Sequence, residues 1–308
     1  MTNSCSAFGA YTKLIIEPDG GAFDANSERY AILGENITRN QPFQGRRRIT
    51  GDRANYSTAI RPHTYLVSGA IAMQPGPADL ANLLPRVLWG TGLALGDTAP
   101  VFKVLVDREN GIFHYPDCQM ARMVLRSKTE SGNEPTNEEL VECIIYLMAT
   151  SEDTNTVSWP DPEPTITLSD GNTPYNHTEG VLSLGGSSRP FKSFELVIDN
   201  MLTPVFNNDN DLGPSCLRSR GRRITLKTQN PFTTNTLADS LTALNSGIAG
   251  SLTFTNGGLS TSFTFPHLRN NYRSPAIQGR GEIPLTLNME AFATSGSAEM
   301  VVTNDSTP

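Results

Sequence analysis

Lysine is scarce in this sequence, with five residues against nineteen arginines in a chain of 308. Charged residues of all kinds reach only 18%, and tryptophan occurs twice. No window approaches the roughly 18 apolar residues that a membrane-spanning helix needs, so no membrane partner is expected. Met1 to Lys13 is polar and has no apolar core, so no secretory signal is expected either. The four cysteines, Cys5, Cys118, Cys143 and Cys216, form no C-x-x-C pair. Together with four scattered histidines they provide no metal-ligand spacing. The expectation is reduced thiols, with Cys118 and Cys143 buried on neighbouring strands, and no metal.

Catalytic signatures are missing as well. There is no G-x-S-x-G elbow, no H-E-x-x-H, no phosphate loop and no G-x-G-x-x-G after a strand. Gly185-Gly186-Ser187-Ser188 reads as a turn, and Glu138-Glu139 lie in an acidic block beside no evident base. His114 and His267 sit in strand-like contexts and read as structural. The sequence points to no enzyme, no catalytic residue and no cofactor, and hence to an interaction or structural protein.

Net charge is −7 and the isoelectric point about 5.2, which argues against a protein that grips phosphate backbones. Between Lys128 and Arg189 there is no lysine or arginine but eleven acids. That block reads as a solvated linker or as one face of negative potential. The arginine bias suits planar, bidentate contacts inside interfaces. Ser, Thr and Asn make up about a quarter of the chain, a short-side-chain surface common in β proteins.

Period-two alternation dominates what is present. Ile283, Leu285, Leu287, Met289 and Ala291 interleave with polar residues, giving one dry and one wet face. Phe194, Leu196 and Ile198 alternate in the same way. Val141–Ala149 is apolar at nearly every position and predicts a strand covered on both faces. Val101–Asp107 and Ile112–Tyr115 flank an Asn110-Gly111 turn, and Asn256-Gly257-Gly258 sits between two further strand-like runs. Helices are few. Ala78–Trp89 shows an apolar stripe broken by Pro85, and Thr236–Leu244 offers Leu237, Leu241 and Leu244 as a short amphipathic helix.

The order of these elements recurs at an offset of about 145 to 155 residues. Gly-Arg-Arg occurs at Gly45 to Arg48 and at Gly221 to Arg223. A strand, a Pro-containing turn, a short helix, a hairpin and a long closing strand follow each time. The expected layout is an N-terminal arm (1–24), a first β domain (25–150), an acidic Pro/Ser/Thr-rich connection (151–189), a second β domain (190–303) and a short tail (304–308).

Three stretches carry a family resemblance: Ser193-Phe-Glu-Leu-Val-Ile-Asp-Asn-Met-Leu202, Gly221-Arg-Arg-Ile-Thr225 and Ile283-Pro-Leu-Thr-Leu-Asn-Met-Glu-Ala-Phe292. Ala31–Ile37 before Gly45–Thr50, and Val67–Ile71, look alike in the first half. These stretches resemble the tail tube proteins of long-tailed bacteriophages, in their roughly 300-residue form, over about residues 25–303. The resemblance implies a mainly β chain of two tandem β-sandwich, tube-like units with short helices. The sheets of neighbouring subunits then join into a closed β-barrel ring, and rings stack into the conduit for DNA ejection. It also implies a place in the virion tail, assembly in the bacterial host cytoplasm, and tape-measure, terminator and baseplate proteins as partners. Double-stranded DNA passes through without specific binding.

About 24 strands at roughly 4.8 Å spacing and 40° tilt give a barrel near 48 Å across. If each repeat supplies four strands, three chains close such a ring with a pseudo-sixfold look; if only four strands per chain enter, six are needed. Three is the favoured number. The acids Glu130, Glu134, Glu138, Glu139, Glu142, Glu152 and Asp153 are the candidates to face the lumen, where negative walls raise no attraction for phosphate. Arg46, Arg47, Arg48, Arg220, Arg222 and Arg223 are the candidates for contacts between subunits or rings. The alternatives are another tail ring component, a terminator or hub, or a soluble β-sandwich carbohydrate-binding module presenting Trp89 and Trp159.

Overall fold

The computed structural model describes residues 12–18, 21–45, 60–90, 92–128, 140–154, 156–166, 172–207, 212–271, 274–275 and 283–305. Strands predominate, and two α-helices occur among the described residues. The first strands are β1 (Lys13–Pro18), β2 (Glu28–Tyr30), β3 (Gly34–Glu35), β4 (Thr38–Asn40), β5 (Phe43–Gly45), β6 (Ile60–Pro62) and β7 (Leu66–Met73). Helix α1 (Pro77–Leu88) is followed by β8 (Phe102–Asp107), β9 (Ile112–Lys128), β10 (Glu142–Ala149) and β11 (Asp153–Thr154). Then come β12 (Gly180–Leu184), β13 (Ser187–Arg189), β14 (Ser193–Asp199), β15 (Leu202–Val205), β16 (Cys216–Ser219) and β17 (Arg223–Pro231). Helix α2 (Thr234–Asn245), β18 (Ile248–Asn256), β19 (Leu259–Asn270), β20 (Pro284–Ala291) and β21 (Val301–Asp305) complete the order.

Eight antiparallel positions make one open sheet in the order β3/β4, β7, β10, β9, β14, β17, β20, β19. It does not close into a barrel within the described chain. Two long strands leave it. The first half of β9 pairs with β8 and β11, and β8 continues to β1 and β2. The first part of β19 likewise pairs with β18 and β21, and β18 continues to β12 and β13. Long strands that change partners mid-length are the standard way to fold one sheet over another, and here they enclose the core.

Alternation does the packing. Strand β20 buries Leu285, Leu287, Met289 and Ala291, and β17 buries Ile224, Leu226, Thr228 and Asn230, with the intervening residues outward. Phe254, fully buried, meets Tyr175 and Phe194 at ring distances of 5.5 and 5.2 Å. Side chains of this size each contribute about 1.5–3 kcal/mol when buried. Cys118 and Cys143 are buried free thiols, and burial pushes both thiols well up, so they stay protonated and inert.

Four local expectations change. Lys13–Pro18, within the stretch read as an arm, is a strand whose Leu14, Ile15 and Ile16 are completely buried against β8. Strands β12 and β13 fall within the stretch read as a connection. Strand β10 is not covered on both faces: Cys143, Ile145, Leu147 and Ala149 are buried, while Tyr146 is 38% exposed and Glu142, Ile144 and Met148 are partly so. Nor does Pro85 break α1. The helix runs through it to Leu88 and ends on Trp89 in the left-handed region (φ 62°), while the Arg86 guanidinium bonds the Asn82 carbonyl.

Candidate functional site

The face of the eight-stranded sheet turned away from the core carries two charged rows, with Ile144, Val124 and Val197 between them and the two valines almost wholly buried. Cross-strand register sets Glu142 opposite Arg126, Arg126 opposite Glu195, and Glu195 opposite Lys227. The next polar row runs Tyr146, Arg122, Asp199, Arg223. Arg126 Nε bonds Glu142 at 2.8 Å, Arg223 bonds Glu290 at 2.9 Å, and the Arg122 guanidinium lies 5.5 Å from the Tyr146 ring centre. Glu142's hydrogen bond leads the effects that hold the Arg126 guanidinium above its ordinary range. Four acids and four bases therefore interleave on one face, each pair contributing a few tenths of a kcal/mol in water. At one end this face forms an open trough of about 750 Å³, lined by Arg126, Glu142, Glu195, Lys227 and the exposed Leu33.

The first edge of the sheet is held firmly. The chain crosses from β3 to β4 over Gly69, where a Cβ would come within 2.6 Å of Ile37 N and 2.7 Å of Asn36 O. Asn36 locks onto Ala70 in both directions, its N–H donating at 3.0 Å and its side-chain oxygen accepting at 2.6 Å. The Ile37 carbonyl accepts from Arg108 (2.7 Å) and from the Tyr115 hydroxyl (3.1 Å). Arg108 also clasps Glu35 through two bonds of 2.7 and 2.9 Å. Burial opposes the Arg108 charge, but the Glu35 bond, together with the Tyr115 hydroxyl and the Glu35 charge, outweighs it, so the guanidinium titrates above its ordinary range. Outward of β3 and β4 no described strand pairs with them.

Within the sheet, the β9–β14 ladder joins Arg122–Lys128 to Ser193–Asp199. Asn200, fully buried, ends it: its N–H donates to Ala121 O at 2.8 Å and its side chain to Val87 O and Met120 O at 2.9 and 3.3 Å. Arg222 bonds the Gly96 carbonyl and approaches Asn200 Oδ1 at 3.4 Å.

Of the acids singled out in the sequence, Glu142 stands on the charged face. Glu152 adjoins, and Asp153 belongs to, the β9–β11 ladder, where Asp153 is 3.6 Å from His114 Nδ1. Glu130, Glu134, Glu138 and Glu139 lie outside the described residues, as do Arg46, Arg47 and Arg48. Arg222 is engaged within its own chain, Arg223 belongs to the charged face, and Arg220 is exposed beside β16. Composition alone missed the basic half of that face, Arg122, Arg126 and Lys227. The available signal was a pair of arginines four positions apart in Arg122-Met-Val-Leu-Arg126, on one side of a strand, but which charges meet depends on register, which one strand does not carry.

His114 gives this ladder a pH dependence. Burial depresses its pKa, more than Asp153 raises it, with Lys103 adding to the depression. The folded chain thus prefers neutral imidazole, so its stability is full above the unfolded pKa of about 6.5 and falls as pH drops toward the folded value. Thermal midpoints measured from pH 7.5 to 5 should fall for the native chain and fall less for His114→Gln. Parallel curves would refute the assignment.

No helix among the described residues is long and apolar enough to cross a membrane. Among those residues, no group of three or more His, Cys, Asp or Glu is placed to hold a metal. Trp89 is only 5% exposed and Trp159 is half-buried, so the two tryptophans form no exposed platform of the kind sugar-binding modules use. No curated protein matches the chain. The family model described as phage tail tube protein matches residues 7–291, nearly the whole chain. A β-rich chain with an open sheet and a charge-compensated face fits that match, and the chain belongs to the phage tail tube protein family.

Proposed function

We propose that this tail tube subunit is built of two tandem units, about residues 13–154 and 180–305, and that three copies close a pseudo-sixfold ring. The observation carrying this reading is the pairing pattern. The ladders β1–β2, β1–β8, β8–β9 and β9–β11 have counterparts in β12–β13, β12–β18, β18–β19 and β19–β21. The ladders β4–β7, β7–β10 and β10–β9 have counterparts in β14–β17, β17–β20 and β20–β19. The hairpin β5–β6 has its counterpart in β15–β16. Among the described ladders, with β3 taken together with β4, one has no counterpart: β9 with β14, the edge strand of one unit's sheet against the edge strand of the other's.

Repeating that joint between chains sets the end of β19 against the β3/β4 edge of the next copy. Four strands per unit and eight per chain give a 24-stranded barrel with three copies, near 48 Å across. The charged face then lines the lumen, Glu142 among its residues. A wall of compensated charges offers passing phosphate neither a row of free cations nor a repulsive barrier. Arg220 and the Arg46–Arg48 cluster fall to contacts between subunits or stacked rings, and tape-measure, terminator and baseplate proteins complete the tail, assembled in the host cytoplasm.

Sedimentation and negative-stain microscopy of the purified chain test the reading. Rings or tubes built from threefold units, appearing above a threshold concentration, are expected. A monomer at every concentration, or rings of six chains, would overturn it.

A further inference from the structure

Helix α2 is inside out. It buries Thr236, Ser240 and Ala243 against its own unit, with Ser240 Oγ accepting from the buried Asn270 at 2.7 Å. Leu241 and Leu244 point away at 39% and 42% exposure, and Leu237 is half-buried. Positions i, i+4 and i+7 form one stripe, so this is a continuous apolar ridge facing solvent. The helix itself is well made: Thr233 caps its start by accepting from Thr236 N at 3.2 Å, and Arg269 holds the Leu244 and Asn245 carbonyls at 3.0 and 2.8 Å.

Helix α1 has the same length and the opposite fate. Its fourth, eighth and eleventh residues, Leu80, Leu84 and Val87, match Leu237, Leu241 and Leu244 in position, and all three are buried. What covers α1 is the other unit. The helix packs on β9 of its own unit and on β19 and β21 of the second, with Asn304 Nδ2 donating to Pro77 O at 3.0 Å. Helix α2 packs on β18, β19 and β20 of its own unit, and among the described residues no strand of the first unit lies on its leucines.

We infer that the leucine stripe of α2 is covered by the β9–β11 ladder of a second copy of this chain, repeating between subunits the contact that β19 and β21 make with α1. The inference rests on the tandem-unit ring. It also specifies a pair of residues. Phe113 and Phe263 take equal places in the two hairpins, opposite Val106 and Leu252 and two residues before Tyr115 and Phe265, which precede matching bulges. Thr154 faces Phe113 as Val302 faces Phe263, so the exposed Thr156 corresponds to Asn304. Thr234, the first residue of α2, corresponds to Pro77. Thr156 of one copy and Thr234 of the next therefore come together.

The test uses the full chain carrying Thr156→Cys and Thr234→Cys, treated after assembly with a short bismaleimide, beside each single substitution. The double variant should give an intermolecular ladder that ends at three copies, and the single variants should stay at the background of the native cysteines. In parallel, Leu241→Glu/Leu244→Glu should keep the native thermal midpoint, because both residues are exposed in the lone chain, while the threshold concentration for assembly rises at least tenfold. Rings or tubes in which the double variant does not cross-link, or Glu variants that assemble like the native chain, overturn this contact and leave the ring intact. A native chain that forms no ring or tube overturns the ring, and the contact with it.

Discussion

Replacing Gly69 by valine is expected to abolish ring and tube formation while leaving a folded monomer. The added Cβ meets backbone atoms, Ile37 N and Asn36 O, which cannot rotate aside as a flexible side chain would. The crossing from β3 to β4 must lift, and with it the Asn36–Ala70 lock and the Ile37 carbonyl held by Arg108 and Tyr115. Core residues of β7 such as Val67, Ile71 and Met73 are untouched, so circular dichroism should keep its β signature. The free edge that the neighbouring copy needs is lost. Asn36→Ala, which removes one lock without a clash, should raise the assembly threshold by a smaller amount. Gly69→Val chains that form tubes at native yield would show that this edge is not the joint.

The second large effect is on stability. Asn200→Ala removes a buried amide that satisfies the Val87 and Met120 carbonyls and approaches Arg222 Nε. Leaving buried acceptors without a donor costs about 1–3 kcal/mol for each group left unmet. A loss of roughly 2–3 kcal/mol corresponds to a midpoint lowered by roughly 3–5 °C in a chain of this size. Asn200→Asp keeps the shape but cannot donate to a carbonyl, and it should not rescue the loss. An unchanged midpoint for both variants would mean that this residue does not hold α1 to the β9–β14 joint.

Much of this was legible in the sequence, and the parts that were not share one physical cause. The alternation in Ile283–Phe292 and Phe194–Ile198 reports which side of a strand is dry, and those sides are the buried ones. Pattern does not report what lies on the other side. Val141–Ala149 is apolar apart from Glu142, which predicts two covered faces, yet Ile144, Tyr146 and Met148 face outward in the single chain. The same holds for Leu237, Leu241 and Leu244: periodicity finds the stripe, and only the packing shows that it faces away from its own core. In the proposed ring the leucine stripe completes its burial against a neighbouring copy, whereas the outward side of β10 stays on the lumen.

The acidic block shows a related limit. Net charge over a segment is a sum, whereas the potential on a face depends on which strands lie side by side. Glu142 meets Arg126 only because β9 lies between β10 and β14, a neighbour relation set by long-range topology. The two Gly-Arg-Arg clusters illustrate the converse. They look alike, but Gly45 ends β5 while Gly221-Arg222 leads into β17, so the two clusters hold unequal places in the strand order.

The central claim is that the β9–β14 joint recurs between chains, and a cryo-electron microscopy map of the assembled tube resolving individual strands tests it most directly. The expected map shows a 24-stranded inner barrel from three copies, the row Glu142, Arg126, Glu195, Lys227 on the lumen, and the β3/β4 edge of each copy antiparallel to the end of β19 of its neighbour. A barrel built from six copies, or one whose lumen is lined by the opposite face of this sheet, would contradict it.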